Sequence, residues 1–349
     1  MKKSLLATTA IAAVAVVGVA SSAAAAGFEA KINGYMEQYF GYADSSNAAV
    51  SNADQFNQNS DAEFYVSGKQ TLDNGLTVGF QIEVEGEVAG IDEQYAYIEG
   101  GFGKLSAGAE NPAGYLMHLA VKSNGVGVEE NDGTNIWIPG SAGGAQARTN
   151  MHSGAIDDRN TVTYLSPKVN GIQVGASFTP TMATDTSSPT TATGGDGVRD
   201  NGWSLGASYA GSFTGDVSLK LSAGYTDGGN DDATAGDLTV FTAGIQVGFG
   251  GFTVSGAYGS ENDDAAGEDY NNFAASLAYN AGPMGVSAVF LTSKDDQGND
   301  KQDQFELGAS YAMGPGVKAQ ASIYVAERTD GGNKAADGVA AVAGIRLDF

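Results

Sequence analysis

From Phe28 onward, apolar side chains occupy alternate positions (Phe28, Ala30, Ile32, Met36, Phe40, Tyr42), and Glu29, Lys31, Asn33 and Glu37 fill the places between. Period-two alternation puts the two classes on opposite faces of a β-strand. Here it runs longer than a typical soluble strand. The same dyad recurs in Ala62-Phe64-Val66, in Leu76-Val78-Phe80-Ile82-Val84, and at the end in Val339, Ala341, Ala343, Ile345, Leu347 and Phe349. Tight-turn signals such as Asp73-Asn74-Gly75 and Asn170-Gly171 alternate with longer Asp/Asn/Thr-rich links at 44–60, 111–157, 181–200, 226–237, 260–270, 293–302 and 327–337. This punctuation predicts sixteen strands: 28–43, 61–72, 75–86, 91–100, 102–110, 158–167, 171–180, 201–211, 215–226, 237–248, 251–260, 270–280, 283–293, 302–312, 316–327 and 338–349.

An even strand count with turns at one end and loops at the other is the plan of a transmembrane antiparallel β-barrel. At sixteen strands such a barrel encloses water instead of packed side chains. A secreted soluble sandwich or solenoid is the alternative. Against it stand the end-to-end asymmetry of the links and strands long enough to cross a bilayer when tilted. The second face also favours small residues, as in Ser204-Gly206-Ser208 opposite Trp203-Leu205-Ala207-Tyr209. Aromatics such as Tyr39, Phe40, Phe178, Phe249, Tyr279 and Tyr311 cluster near strand ends, where interfacial girdles place them.

The 111–157 segment breaks the pattern. It shows no sustained period, yet carries both histidines (His118, His152), Trp137 and the acidic run Glu129-Glu130-Asn131-Asp132. Long structureless insertions are uncommon and usually functional. The expectation is that this third loop folds into the lumen and narrows it.

The chain opens Met1-Lys-Lys-Ser, continues through an apolar stretch and reaches Ala24-Ala25-Ala26. The pattern predicts a Sec signal peptide over 1–26, cut after Ala26, rather than a retained anchor, and would leave one barrel domain over 27–349. Its loss takes Lys2 and Lys3 and moves the formal charge from −24 to −26. Such acidity excludes nucleic acid as a partner. Zero cysteines and 51 glycines against 7 prolines suit many strands joined by tight turns without disulfide staples.

Gln94-Tyr95-Ala96-Tyr97-Ile98-Glu99-Gly100-Gly101-Phe102-Gly103-Lys104-Leu105-Ser106-Ala107-Gly108 is similar to the strand pair leading into the constriction loop of Gram-negative general porins of the alphaproteobacterial type. Asn160-Thr-Val-Thr-Tyr164-Leu-Ser166-Pro167 with Gly171 resembles the strand that follows that loop. The final Phe349 resembles the C-terminal assembly signal of outer-membrane barrels. The resemblance implies Sec export to the outer membrane, contact with its lipids and lipopolysaccharide, and recognition by the barrel-assembly machinery. It also implies a homotrimer with periplasmic termini and passive diffusion of small hydrophilic solutes. Many relatives carry Arg where Glu110 stands, so the family's basic side does not transfer directly.

Charges lining the narrowest section do the work in a pore. The loop candidates are Glu129, Glu130, Asp132, Arg148, Asp157 and Asp158. The wall candidates by parity are Lys31, Glu37, Lys69, Glu83, Lys104, Glu110, Arg159, Lys318, Arg328 and Arg346. The acidic surplus favours a mild cation preference. No cofactor is expected, although Ca²⁺ is conceivable at Asn230-Asp231-Asp232, Glu261-Asn-Asp-Asp264 and Asp295-Asp296, which lack EF-hand spacing. Two histidines on one loop, without a nucleophile motif, give no basis for an enzyme. A surface-display barrel acting as adhesin or phage receptor, and a solute-selective channel, remain the other readings.

Overall fold

The computed structural model describes residues 27–47, 55–86, 90–127, 158–182, 199–213, 216–229, 236–264, 268–295 and 300–349. Its strands are β1 Glu29–Asn47, β2 Gln55–Thr71, β3 Thr77–Glu85, β4 Ile91–Gly100, β5 Gly103–Ala109, β6 Asn160–Leu165, β7 Ile172–Thr181 and β8 Asp200–Ser212. They continue as β9 Ser218–Asp227, β10 Leu238–Phe249, β11 Phe252–Asp263, β12 Glu268–Ala281, β13 Met284–Asp295, β14 Lys301–Gly314, β15 Val317–Asp330 and β16 Asn333–Asp348. Each pairs antiparallel with the next, and β16 returns to β1, so the sheet closes. Closure satisfies every strand's backbone within the wall, as hydrocarbon requires. At the seam Phe349 N–H donates to the Gly34 carbonyl at 2.9 Å, and Gly34 N–H returns a bond to the Phe349 carbonyl at 3.0 Å.

The polarity of the wall is inside out relative to a soluble protein. On β12, Leu277 is 51 % exposed on the outer face, whereas its inward neighbour Ser276 is 7 % exposed. Aromatic pairs mark both rims of the outer face. Phe28–Phe80 and Phe252–Tyr279 lie at the turn end, and Phe40–Phe56, Phe178–Trp203 and Phe241–Tyr258 at the loop end. Turn chemistry fixes the register between them. Asn170 and Gly171 have φ values of 50° and 85°, and Val169 and Ile172 exchange backbone bonds of 2.9 Å across them. That is the mirror-image turn whose twist matches a right-twisted hairpin.

All sixteen predicted strands exist, but several extend further at the loop end than the alternation suggested. β15 and β16 meet across Gly331-Gly332, where the hydropathy predicted an eleven-residue link at 327–337. The ladder continues there with polar residues on both faces, such as the Glu327–Asp337 pair. Above the hydrocarbon the outer face meets water, so the apolar half of the dyad vanishes while the hydrogen bonds persist. For the same reason Glu261, Asp263 and Asp295 do not belong to solvated links. They sit on β11 and β13 facing inward and buried, with Asp263 paired to Arg199 at 2.5 Å. Asn230, Asp231, Asp232 and Asp296 fall outside the described residues, as does the 1–26 segment.

Candidate functional site: the channel lumen

The third loop leaves the wall after β5, and its base is closed by a bond from Glu110 N–H to the Arg159 carbonyl at 3.3 Å. Pro112 leads into a single helical turn, α1 Ala113–Leu116, and an extended segment then runs to Gly127. This chain lies against the inside of the barrel. Ala113 N–H donates to Ser177 Oγ on β7 at 2.8 Å, and Gly114 N–H to Ser204 Oγ on β8 at 2.9 Å. Farther round, Gln246 on β10 donates to the Ala120 carbonyl at 2.7 Å, and Lys122 N–H reaches Ser255 Oγ on β11 at 3.3 Å. Asn124 N–H and Val126 N–H each donate at 2.8 Å, to Ser287 Oγ on β13 and Ser322 Oγ on β15.

The small residues of the inner face therefore have a use. Serine hydroxyls accept the loop's otherwise unpaired N–H groups, and glycines let its backbone come close. A Cβ on Gly206 would sit 2.3 Å from the Ala113 carbonyl oxygen. Alternation had exposed the small polar face, but not that a segment of the same chain occupies it.

Carboxyls concentrate on one stretch of the remaining lumen wall. Glu83 on β3 and Glu93 on β4 both face inward beside a register shift between Ile82 and Val84. The Glu83 carboxyl is in hydrogen-bonding contact with those of Glu63 and Glu93. Glu93 in turn touches Glu110 and Asp158. Asn111 Nδ2 donates to Glu93 at 2.5 Å, Tyr65 to Glu63 at 2.7 Å, and Tyr95 bonds Glu110. Five carboxyls thus form one run across β2–β5 and the base of the loop.

A basic group stands on the other side of the seam. Arg346 pairs with Glu37 at 2.5 Å and Asp348 at 2.8 Å while lying 4.1 Å from the Tyr35 ring centre. Lys318 is its register partner on β15, and Lys122 of the loop contributes its charge nearby. Lys104 instead stands on β5 within the acidic stretch, stacked over Tyr95 and Tyr97 at 5.0 and 4.7 Å from their ring centres. Lys31 and Lys69 are exposed toward the turn-end mouth, where Lys69 registers against Glu29. Arg328 is buried on the inner face of β15. Glu129, Glu130, Asp132, Arg148 and Asp157 lie outside the described residues. The wall candidates omitted Glu63 and Glu93. Parity alone marks both as inward, Glu63 with Tyr65 and Glu93 with Tyr95 and Tyr97.

A closed sixteen-strand barrel, apolar outside and polar within, with a loop folded along its inner wall, defines a membrane pore of the porin class. A family model of Gram-negative porins matches residues 7–331, and the chain belongs to that family. A porin structure refined at 1.8 Å resolution superposes with a TM-score of 0.61 at 18 % identity, covering 92 % of this chain and 100 % of that one. An anion-selective porin from Comamonas acidovorans gives 0.61 at 15 % identity with the same coverage. A mutant of the Rh. blastica porin gives 0.57 at 17 %, again covering 92 % and 100 %. No curated relative matches the chain by sequence. The protein is an outer-membrane porin channel.

Proposed function

We propose that this porin passes ions and small hydrophilic solutes by passive diffusion, with a preference for cations. The observation that carries the reading is the run Glu63–Glu83–Glu93–Glu110–Asp158 along the lumen wall. Carboxyls in mutual contact share protons, and the negative charge the run retains raises the local counter-ion concentration and disfavours co-ions. The family does not dictate the sign, since the Comamonas relative is anion-selective. The test is the reversal potential of the purified protein in a planar bilayer under a potassium chloride gradient. A potential of the cation-selective sign is expected, shrinking when Glu83 and Glu93 are both replaced by Gln. Neutralising Glu129, Glu130 and Asp132 is expected to shift it the same way. A zero or anion-selective potential in the unaltered protein would remove the proposal.

We further propose that the channels associate as homotrimers through the outer face of β1 and β2. Gln38 and Gln58 point to the lipid side between Met36, Phe40 and Phe56, and Gln58 Nε2 donates to Gln38 Oε1 at 2.6 Å. Gln38 also bonds Ser60. Polar side chains facing hydrocarbon are costly, so a protein surface is the better cover. Replacing Gln38 and Gln58 by Leu is expected to weaken the oligomer on unheated gel electrophoresis. Trimers of undiminished stability would place the contact elsewhere.

A further inference from the structure

Charges that face the lumen are also sorted along the axis of the barrel. Lys31, Lys69, Lys104, Lys220, Lys318 and Arg346 all occupy the last three positions at the turn end of their strands. Register places them on the inner face. Lys220 pairs with Gln246, which holds the loop from inside, and Lys318 pairs with Arg346. Lys69 pairs with Gly79, itself opposite the Tyr97 on which Lys104 rests. Three inward carboxyls stand at the same end, and each neighbours one of these cations. Glu29 registers with Lys69 and Glu99 with Lys104, while Asp348 pairs with Arg346 at 2.8 Å. Six cations against three carboxyls leave the turn-end mouth basic. The opposite end is acidic. Glu83, Glu93, Asp200, Glu261, Asp263 and Asp295 hold inward places within the last three positions at the loop end of their strands. The arginines there, Arg159, Arg199 and Arg328, are half as many, and Arg199 is engaged by Asp263 at 2.5 Å.

We propose that this axial order of charge makes the channel rectify, carrying more current when the loop side is positive than when it is negative. With the loop side positive, cations enter through the acidic end and anions through the basic end. Each ion then arrives through the zone that concentrates it, and both accumulate where the zones meet. Under the opposite polarity each must enter through the zone that repels it, and the middle of the pore is depleted of carriers. Cation preference alone produces no such difference, because a wall of one sign along its whole length treats the two directions alike. The inference rests on the channel reading above and adds a direction to it.

The test is the current–voltage relation of single channels of the full chain in planar bilayers, with the same potassium chloride on both sides. Orientation is read from Ala281→Cys at the β12–β13 turn, a unique thiol in a chain without cysteine. The thiol is biotinylated, and streptavidin added to one compartment reports where the turns face. At about 0.1 M salt, where the screening length is about 10 Å, currents at opposite voltages are expected to differ about twofold, with the larger at loop side positive. At about 1 M salt, where it is about 3 Å, the ratio is expected to fall to about one. Lys31→Gln, Lys69→Gln and Lys220→Gln together remove half of the basic end. All three lysines are exposed and carry no ion pair among the described residues, so the wall keeps its contacts. That variant is expected to bring the ratio close to one at low salt, whereas the salt series needs no variant at all. Equal currents at low salt in the unaltered protein, or a larger current with the loop side negative, overturn the proposal. A ratio unmoved in the lysine variant overturns the part given to the basic end. Ohmic conduction with a cation-selective reversal potential removes rectification and leaves the channel reading standing. A protein that conducts nothing removes both.

Discussion

Replacing Ile323 by arginine is expected to cost about 2–4 kcal/mol of folded stability in a bilayer, the penalty for a cation on the lipid face near the midplane. Ile323 lies midway along β15, 50 % exposed on the outer face, and its register neighbours are Leu307 and Ala341. Nothing polar on those two residues offers the guanidinium a partner, and the distance to either rim limits snorkelling. The inner face bears cations natively at Lys31, Lys318 and Arg346, so the penalty concerns the side of the wall and not the charge itself. Urea unfolding in lipid vesicles measures the effect. A loss near zero would mean that water or protein, not hydrocarbon, covers this face.

Replacing Gly206 by leucine is expected to lower single-channel conductance while leaving the barrel assembled. Its hydrogen already faces the loop, and the added Cβ would clash with the Ala113 carbonyl carbon at 2.9 Å as well as its oxygen. The wall strand is held on both sides by full ladders to β7 and β9, so the loop must give way and can move only into the lumen. Overpacking of this kind costs about 1–3 kcal/mol, a small loss for a barrel with sixteen paired strands. The control is Ala207→Leu, one residue along β8 on the outer face, where lipid accommodates the extra methyl groups. Equal conductance in the two variants would mean that the loop does not rest on β8.

The fold was written in the chain because a barrel wall is a local object. Each strand carries its own alternation, each turn its own Asn-Gly or Gly-rich signal, and the seam needs only Phe349 and its neighbours to read as a strand. Boundaries failed where the local rule failed. Beyond the hydrocarbon both faces of β15 and β16 meet water, the dyad loses its apolar half, and only the hydrogen-bond register shows that the strands go on. Parity also sorted Glu37, Glu83, Lys104 and Arg346 onto the lumen face.

What parity could not do was bring charges together. Glu83, Glu93, Glu110 and Asp158 are separated by up to a whole loop in sequence and meet because the successive pairings of β3, β4, β5 and β6 stack them. The course of the third loop was equally invisible. That loop would enter the lumen was legible from its length and lack of period. That it would follow a serine and glycine track across β7–β15 depended on which inward residues close the barrel at one height. A period of two reports which face a residue takes, but not the height or the neighbour, and those are set by sheet register and closure.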